Sequence, residues 1–105
     1  MREQTACLEK LYDYNATRPS EGEKRARLLK EMFLSIGEGC YIEPPLHANW
    51  GGAHCRFGKN VYANFNLTLV ADTFIDVGDT VMMGTNGVLA TAARPIARKL
   101  RERGI

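Results

Sequence analysis

The side chains of this sequence best suited to moving a proton or holding a polar ligand are two histidines, a few amides and one well-placed carboxylate. A histidine can take a proton near neutral pH, provided a partner orients it. His47 follows the Pro44-Pro45 pair and His54 follows Gly51-Gly52. Neither has a carboxylate neighbour in sequence, so each reads as a structural or exposed histidine before it reads as a base. Asp72 lies in LVADTF, where a loop can project polar groups into a groove. Asn64 and Asn66 lie in ANFNLT, and an asparagine there stacks into an internal ladder more often than it contacts a ligand. Trp50, beside Gly51, either lines a sugar-sized pocket or covers the end of the fold.

The elements that must position these residues announce themselves by a period of six. From Phe57 the chain reads FGKNVY, ANFNLT and LVADTF, slips by two residues, and resumes as VGDTVM, MGTNGV and LATA. Phe57, Ala63 and Leu69 share one register, as do Val77, Met83 and Leu89. Six fits neither the 3.6-residue period of a helix nor the alternation of a strand. It suits a chain that turns a corner every few residues, as in a hexapeptide-repeat parallel β-helix. At about 18 residues per three-sided turn the repeat gives about three coils. An antiparallel meander with Asn86-Gly87 as a hairpin turn is the competing reading, and it leaves the six-residue register unexplained. Such repeats point to acyl transfer, which needs a base, an acyl carrier and donors for the oxyanion.

Ahead of the repeat the pattern is helical. Cys7, Leu8, Leu11 and Tyr14 predict a helix over residues 2–14, broken by Asn15 to Pro19. Ser20 and Glu23 read as a capping box, Ala26, Leu29, Phe33 and Ile36 as one apolar stripe, and Gly37 as the stop. Ile36 and Ile42 are already six apart, so the coil begins as the helix ends. The tail beyond Ala92 is basic, with Arg94, Arg98, Lys99, Arg101 and Arg103. It reads as a solvated surface, with an anion contact as the sharper alternative.

Composition sets further bounds. With 105 residues, 45% of them hydrophobic and 25% charged, the chain is one ordinary globular domain. A formal net charge of +2 is too small to argue for a nucleic-acid or membrane partner, and none is expected. No apolar run approaches the ~20 residues of a membrane span. Cys7, Cys40 and Cys55 lack metal or redox spacing and read as reduced thiols of a cytoplasmic protein, with no metal site.

The runs RPSEGEKRARLLKEMF, YIEPP, FGKNVYANFNLTLVAD, VGDTVMMGTN and TAARPI resemble the maltose and galactoside O-acetyltransferases of the hexapeptide-repeat superfamily. The resemblance covers essentially the whole chain. It implies a mainly β protein: a helical segment over residues 1–37 (the maltose acetyltransferase domain), a left-handed parallel β-helix over 38–92 and a basic tail over 93–105. It also implies acetyl-CoA as co-substrate, a sugar as acceptor, and trimers with active sites between subunits. Carried over by position, Asn64 in YAN and Asp72 in VAD match residues that contact the acceptor sugar, and Asn49 falls where another such residue sits.

Two departures bear on activity. The family's base is the histidine of a TAGHP-like motif, and this chain reads Thr91-Ala92-Ala93-Arg94-Pro95. A guanidinium stays protonated above pH ~12 and cannot be a base near neutrality. Losing a general base costs about 10²- to 10⁴-fold. Family members also continue with coils that carry most of the acetyl-CoA groove, and the match begins partway into the helical segment. The expectation is a family member truncated at both ends and weak or inactive alone. The alternative is a non-catalytic sugar-binding or oligomeric scaffold module.

Overall fold

The computed structural model describes residues 2–91. Two helices, α1 (Arg2–Asn15) and α2 (Gly22–Met32), precede nine short strands. These are β1 (Ser35–Ile36), β2 (Tyr41–Ile42), β3 (Leu46–Ala48), β4 (Cys55–Phe57), β5 (Tyr62–Ala63), β6 (Leu67–Val70), β7 (Ile75–Val77), β8 (Met82–Met83) and β9 (Val88–Ala90). They stack as three all-parallel sheets, β1-β4-β7, β2-β5-β8 and β3-β6-β9. Each circuit of three strands is one coil, and the described residues hold three coils of a parallel β-helix.

The six-residue period is the inward-facing side of this coil. Phe57 pairs with Val77, Ala63 with Met83 and Leu69 with Leu89, so each position stacks on its counterpart one turn later. Ile36 and Ile42 occupy the same columns one coil earlier, opposite Phe57 and Ala63. Ile42, Leu46, Cys55, Phe57, Val61, Ala63, Leu67 and Leu69 fill the interior, and outward residues such as His47 and Arg56 alternate with them. The turn is longer than the expected 18 residues. Cys55 pairs with Ile75 and Ser35 with Arg56, because the corner from the third sheet back to the first is extended after β3 and β6.

Asn86-Gly87 is no hairpin. Asn86 sits at φ 64, directly above Asn66 at φ 66, and its N–H donates to the Phe65 carbonyl of the coil below. Both asparagines turn a β-helix corner in the left-handed region that asparagine tolerates. Asn66 therefore serves a corner, and its Oδ1 accepts from His47 Nε2 at 3.1 Å; no internal ladder forms.

The helices close the open edge of the first coil. Asn15, one residue past the predicted end of the first helix, bonds both backbone groups of Leu46 on edge strand β3. Its Nδ2 donates to the carbonyl and its Oδ1 accepts from the N–H, each at 2.8 Å. Unpaired edge groups invite association with other chains, and this amide satisfies two of them. Tyr14, fully buried, donates its hydroxyl to the Ile42 carbonyl. Burial pushes that phenol above its ordinary range.

The second helix departs from its predicted limits. Glu21 holds the N-cap position without a side-chain cap bond, and its carboxylate instead accepts from the Arg18 N–H at 2.7 Å. The helix stops at Met32, since Leu34 N–H turns away to bond the Gly52 carbonyl. The buried face is consequently Arg25, Leu28, Leu29 and Met32, whereas Ala26 is exposed and Phe33 and Ile36 lie in extended chain. Arg25 is the unexpected member, at 4% exposure. Its Nε donates to Thr17 Oγ1 and its Nη1 to the Tyr41 hydroxyl, both at 2.7 Å, and that hydroxyl donates to Glu43 at 2.8 Å.

Candidate functional site

The carboxyl ends of the third sheet's strands meet at one corner. Asn49 follows β3, Asp72 lies just past β6 and Thr91 follows β9. Because the corner after β6 is lengthened, Asp72 is free to fold back over the coil below. Asn49 Nδ2 donates to Asp72 Oδ1 at 2.9 Å, and Asn49 Oδ1 accepts the Ala71 N–H at 3.0 Å. From above, Thr91 Oγ1 accepts the Asp72 N–H at 3.2 Å and donates to the Val70 carbonyl at 3.4 Å. One amide side chain thereby orients the carboxylate and pins the turn that carries it. Asp72 is exposed, and among the described residues nothing bonds its other oxygen, which can accept from a donor such as a sugar hydroxyl.

The loop after Asn49 is fixed by α1. Gln4 Nε2 donates to the Asn49 carbonyl at 2.9 Å. Gly51, at φ 61, lies so close to the helix that a Cβ there would stand 2.7 Å from the Cys7 carbonyl oxygen. Only glycine allows both this conformation and this approach.

His54 Nδ1 lies 2.6 Å from the Ala71 carbonyl oxygen. A carbonyl can only accept, so Nδ1 carries a proton and Nε2 holds the lone pair of the neutral ring. Trp50 stacks on this ring at 4.9 Å between centroids, and Phe74 meets it edge-on at 6.0 Å. His47 is exposed on the outer face of β3, bonded to Asn66. Each histidine is thus oriented by an amide or a carbonyl, and among the described residues neither bonds a carboxylate. Among the described residues no group of histidine, cysteine and carboxylate side chains has the arrangement of a metal site. All three cysteines are free thiols; Cys55 is buried, and burial pushes it up to about 11.

The structure brings Asn49 and Asp72 together and leaves Asn64 elsewhere. Asn64 is half-buried at the corner between β5 and β6, where its Oδ1 accepts the Phe65 N–H at 2.9 Å. Arg94 lies outside the described residues. Sequence reasoning missed Gln4, which lies in no motif, and read Thr91 only as the first residue of the TAARPI run; both act by holding the Asn49–Asp72 corner.

Comparison with known proteins gives this corner a context. Residues 1–37 match the family model described as the maltose acetyltransferase hexapeptide capping motif. A galactoside O-acetyltransferase of Lactococcus lactis subsp. lactis (strain IL1403) is 48% identical over 103 residues, which is 98% of this chain and 50% of that protein. The chain is a homologue of the galactoside O-acetyltransferases and carries the maltose acetyltransferase motif.

Solved structures of the family agree with the fold. A galactoside acetyltransferase in complex with coenzyme A superposes with a TM-score of 0.84 at 37% identity, over 97% of this chain and 50% of that one. A maltose O-acetyltransferase from Clostridium difficile 630 gives 0.84 at 30% identity, over 98% of this chain and 55% of that one. The shared architecture is the left-handed parallel β-helix with helices at its amino-terminal end. The chain spans about half the length of the relatives it matches. No helix of the described residues is long and apolar enough to cross a membrane.

Proposed function

We infer that this chain forms the acceptor-binding part of a sugar O-acetyltransferase, an enzyme that moves acetyl from acetyl-CoA to a sugar hydroxyl. The observation that carries this reading is the Asn49–Asp72 pair, held at 2.9 Å on an exposed corner with hydrogen-bonding capacity to spare. Asn49, Asn64 and Asp72 would hold the acceptor. Asn64 stands on another corner from Asp72, which supports a site completed between copies of the chain, as in a homotrimer.

Arg94 takes the place of the family's catalytic histidine, and its guanidinium would hold an anion but accept no proton. With no base there, and no carboxylate on His47 or His54 among the described residues, the chain alone is expected to be weak or inactive. That same observation favours the second reading, a sugar-binding or oligomeric scaffold module without catalysis. Calorimetry on the full chain separates the two. Binding of both galactose or maltose and acetyl-CoA supports the enzyme, and sugar without coenzyme supports the module. Binding of neither sugar refutes the acceptor site, and acetyl transfer by the chain alone would refute its impairment.

A further inference from the structure

The loop of residues 49–54 and α1 border an open groove of about 410 Å³ lined by Glu3, Ala6, Cys7, Trp50, Ala53 and His54. That volume lies within the ~300–1,000 Å³ of small-molecule sites. A smaller hollow of about 130 Å³ continues it along α1, past Ala6, Cys7 and Ala53 to Lys10 and Glu31. The groove adjoins the Asn49–Asp72 corner through three links. Gln4, next to Glu3, holds the Asn49 carbonyl. Trp50 follows Asn49 in the chain. His54 bonds the carbonyl of Ala71, whose N–H is held by Asn49 and whose neighbour is Asp72.

The lining specifies a ligand chemistry. Trp50 and His54, stacked at 4.9 Å, form an aromatic wall. Beside it stand two acceptors, the Glu3 carboxylate and Nε2 of the neutral His54 ring, and one donor, the Trp50 indole N–H. A pyranose ring complements both, with an apolar C–H face for the aromatic wall and hydroxyl donors for the two acceptors. An anionic ligand is disfavoured by the carboxylate. We propose that the groove is a second carbohydrate subsite, which takes the ring beyond the one being acetylated in an oligosaccharide acceptor. The subsite rests on the reading of Asn49 and Asp72 as acceptor contacts.

Trp50 is the chain's one tryptophan, so its indole N–H resonance reports on the groove, while the Asn49 side-chain amide and the Asp72 backbone amide report on the acceptor corner. The test is a ¹H–¹⁵N titration of the full chain with galactose, lactose and maltose. A disaccharide is expected to shift all three signals with a Kd about tenfold below that of the monosaccharide, as one further hydrogen bond and a ring contact would give. Ala6→Leu, at an exposed helix position that fills the groove, should remove the tenfold preference and leave monosaccharide affinity unchanged. Shifts at Asn49 and Asp72 with Trp50 unmoved would overturn the subsite and leave the acceptor site standing. Shifts at Trp50 alone would overturn its continuity with the acceptor corner, and no shifts would overturn both. A stronger Trp50 response to tetramethylammonium than to any sugar would show a cation site instead.

Discussion

Replacing Gly58 by alanine puts a methyl group where the next coil already stands. Gly37, Gly58 and Gly78 lie above one another at the corner between the first and second sheets. A Cβ on Gly58 would collide with Asp79 Oδ1 and sit 2.9 Å from both the Asp79 nitrogen and the Gly78 carbonyl carbon. The carboxylate can swing away only by giving up its bond to the Lys59 N–H at 2.7 Å, and the backbone atoms cannot move without separating the coils. Overpacking costs ~1–3 kcal/mol and the lost hydrogen bond about 1 kcal/mol. The stiffer unfolded chain returns ~0.4–1 kcal/mol. The net expectation is a loss of about 2 kcal/mol, or roughly 10 °C in Tm for a domain of this size. Gly78 supplies the control, because a Cβ there meets nothing within 4 Å among the described residues. Gly78→Ala should leave stability unchanged or raise it by up to ~1 kcal/mol. Urea unfolding followed by far-UV circular dichroism measures both variants. If Gly58→Ala proves as stable as Gly78→Ala, the coils do not stack at this corner as closely as described.

Arg25→Met removes the hydrogen bonds that a buried cation makes to Thr17 and Tyr41, and should cost about 2–4 kcal/mol in urea unfolding. Arg25→Lys should rescue little of it, since an ammonium cannot reproduce the guanidinium fork; full rescue would refute the geometric account. Asp72→Asn should weaken sugar binding about tenfold by calorimetry with the fold unchanged, because the residue is exposed and its charged acceptor is lost. Unchanged affinity would remove Asp72 from the site. At alkaline pH, burial holds the Cys55 thiol at about 11 against an ordinary 9.0 and also raises the Tyr14 phenol. Both stay protonated in the folded chain while the unfolded chain ionises. The stability that Cys55 contributes is complete below about pH 9 and lost as pH rises towards 11, and that of Tyr14 begins to fall only above about pH 10. The urea midpoint should fall between pH 8.5 and 10.5, and fall less in Cys55→Ala.

What the sequence determined by itself is the coil. A stacked β-helix places the same inward positions above one another on every turn, so Phe57, Ala63 and Leu69 had to repeat as Val77, Met83 and Leu89, and the period was readable without coordinates. The positions of Asn49, Asn64 and Asp72 were legible only as matches to a family motif. The tertiary structure decided which of them meet. Asn49 and Asp72, 23 residues apart, come within a hydrogen bond because one turn of the coil and a lengthened corner bring them to the same edge. Asn64, nearer to Asp72 in sequence, turns a different corner. Tertiary structure likewise decided that Arg25 is buried, that α2 ends at Met32 and that Gln4 and His54 brace the site. Local periodicity sees only neighbours along the chain, whereas each of these contacts joins residues brought together by a helix laid across the coil or by one coil laid upon another.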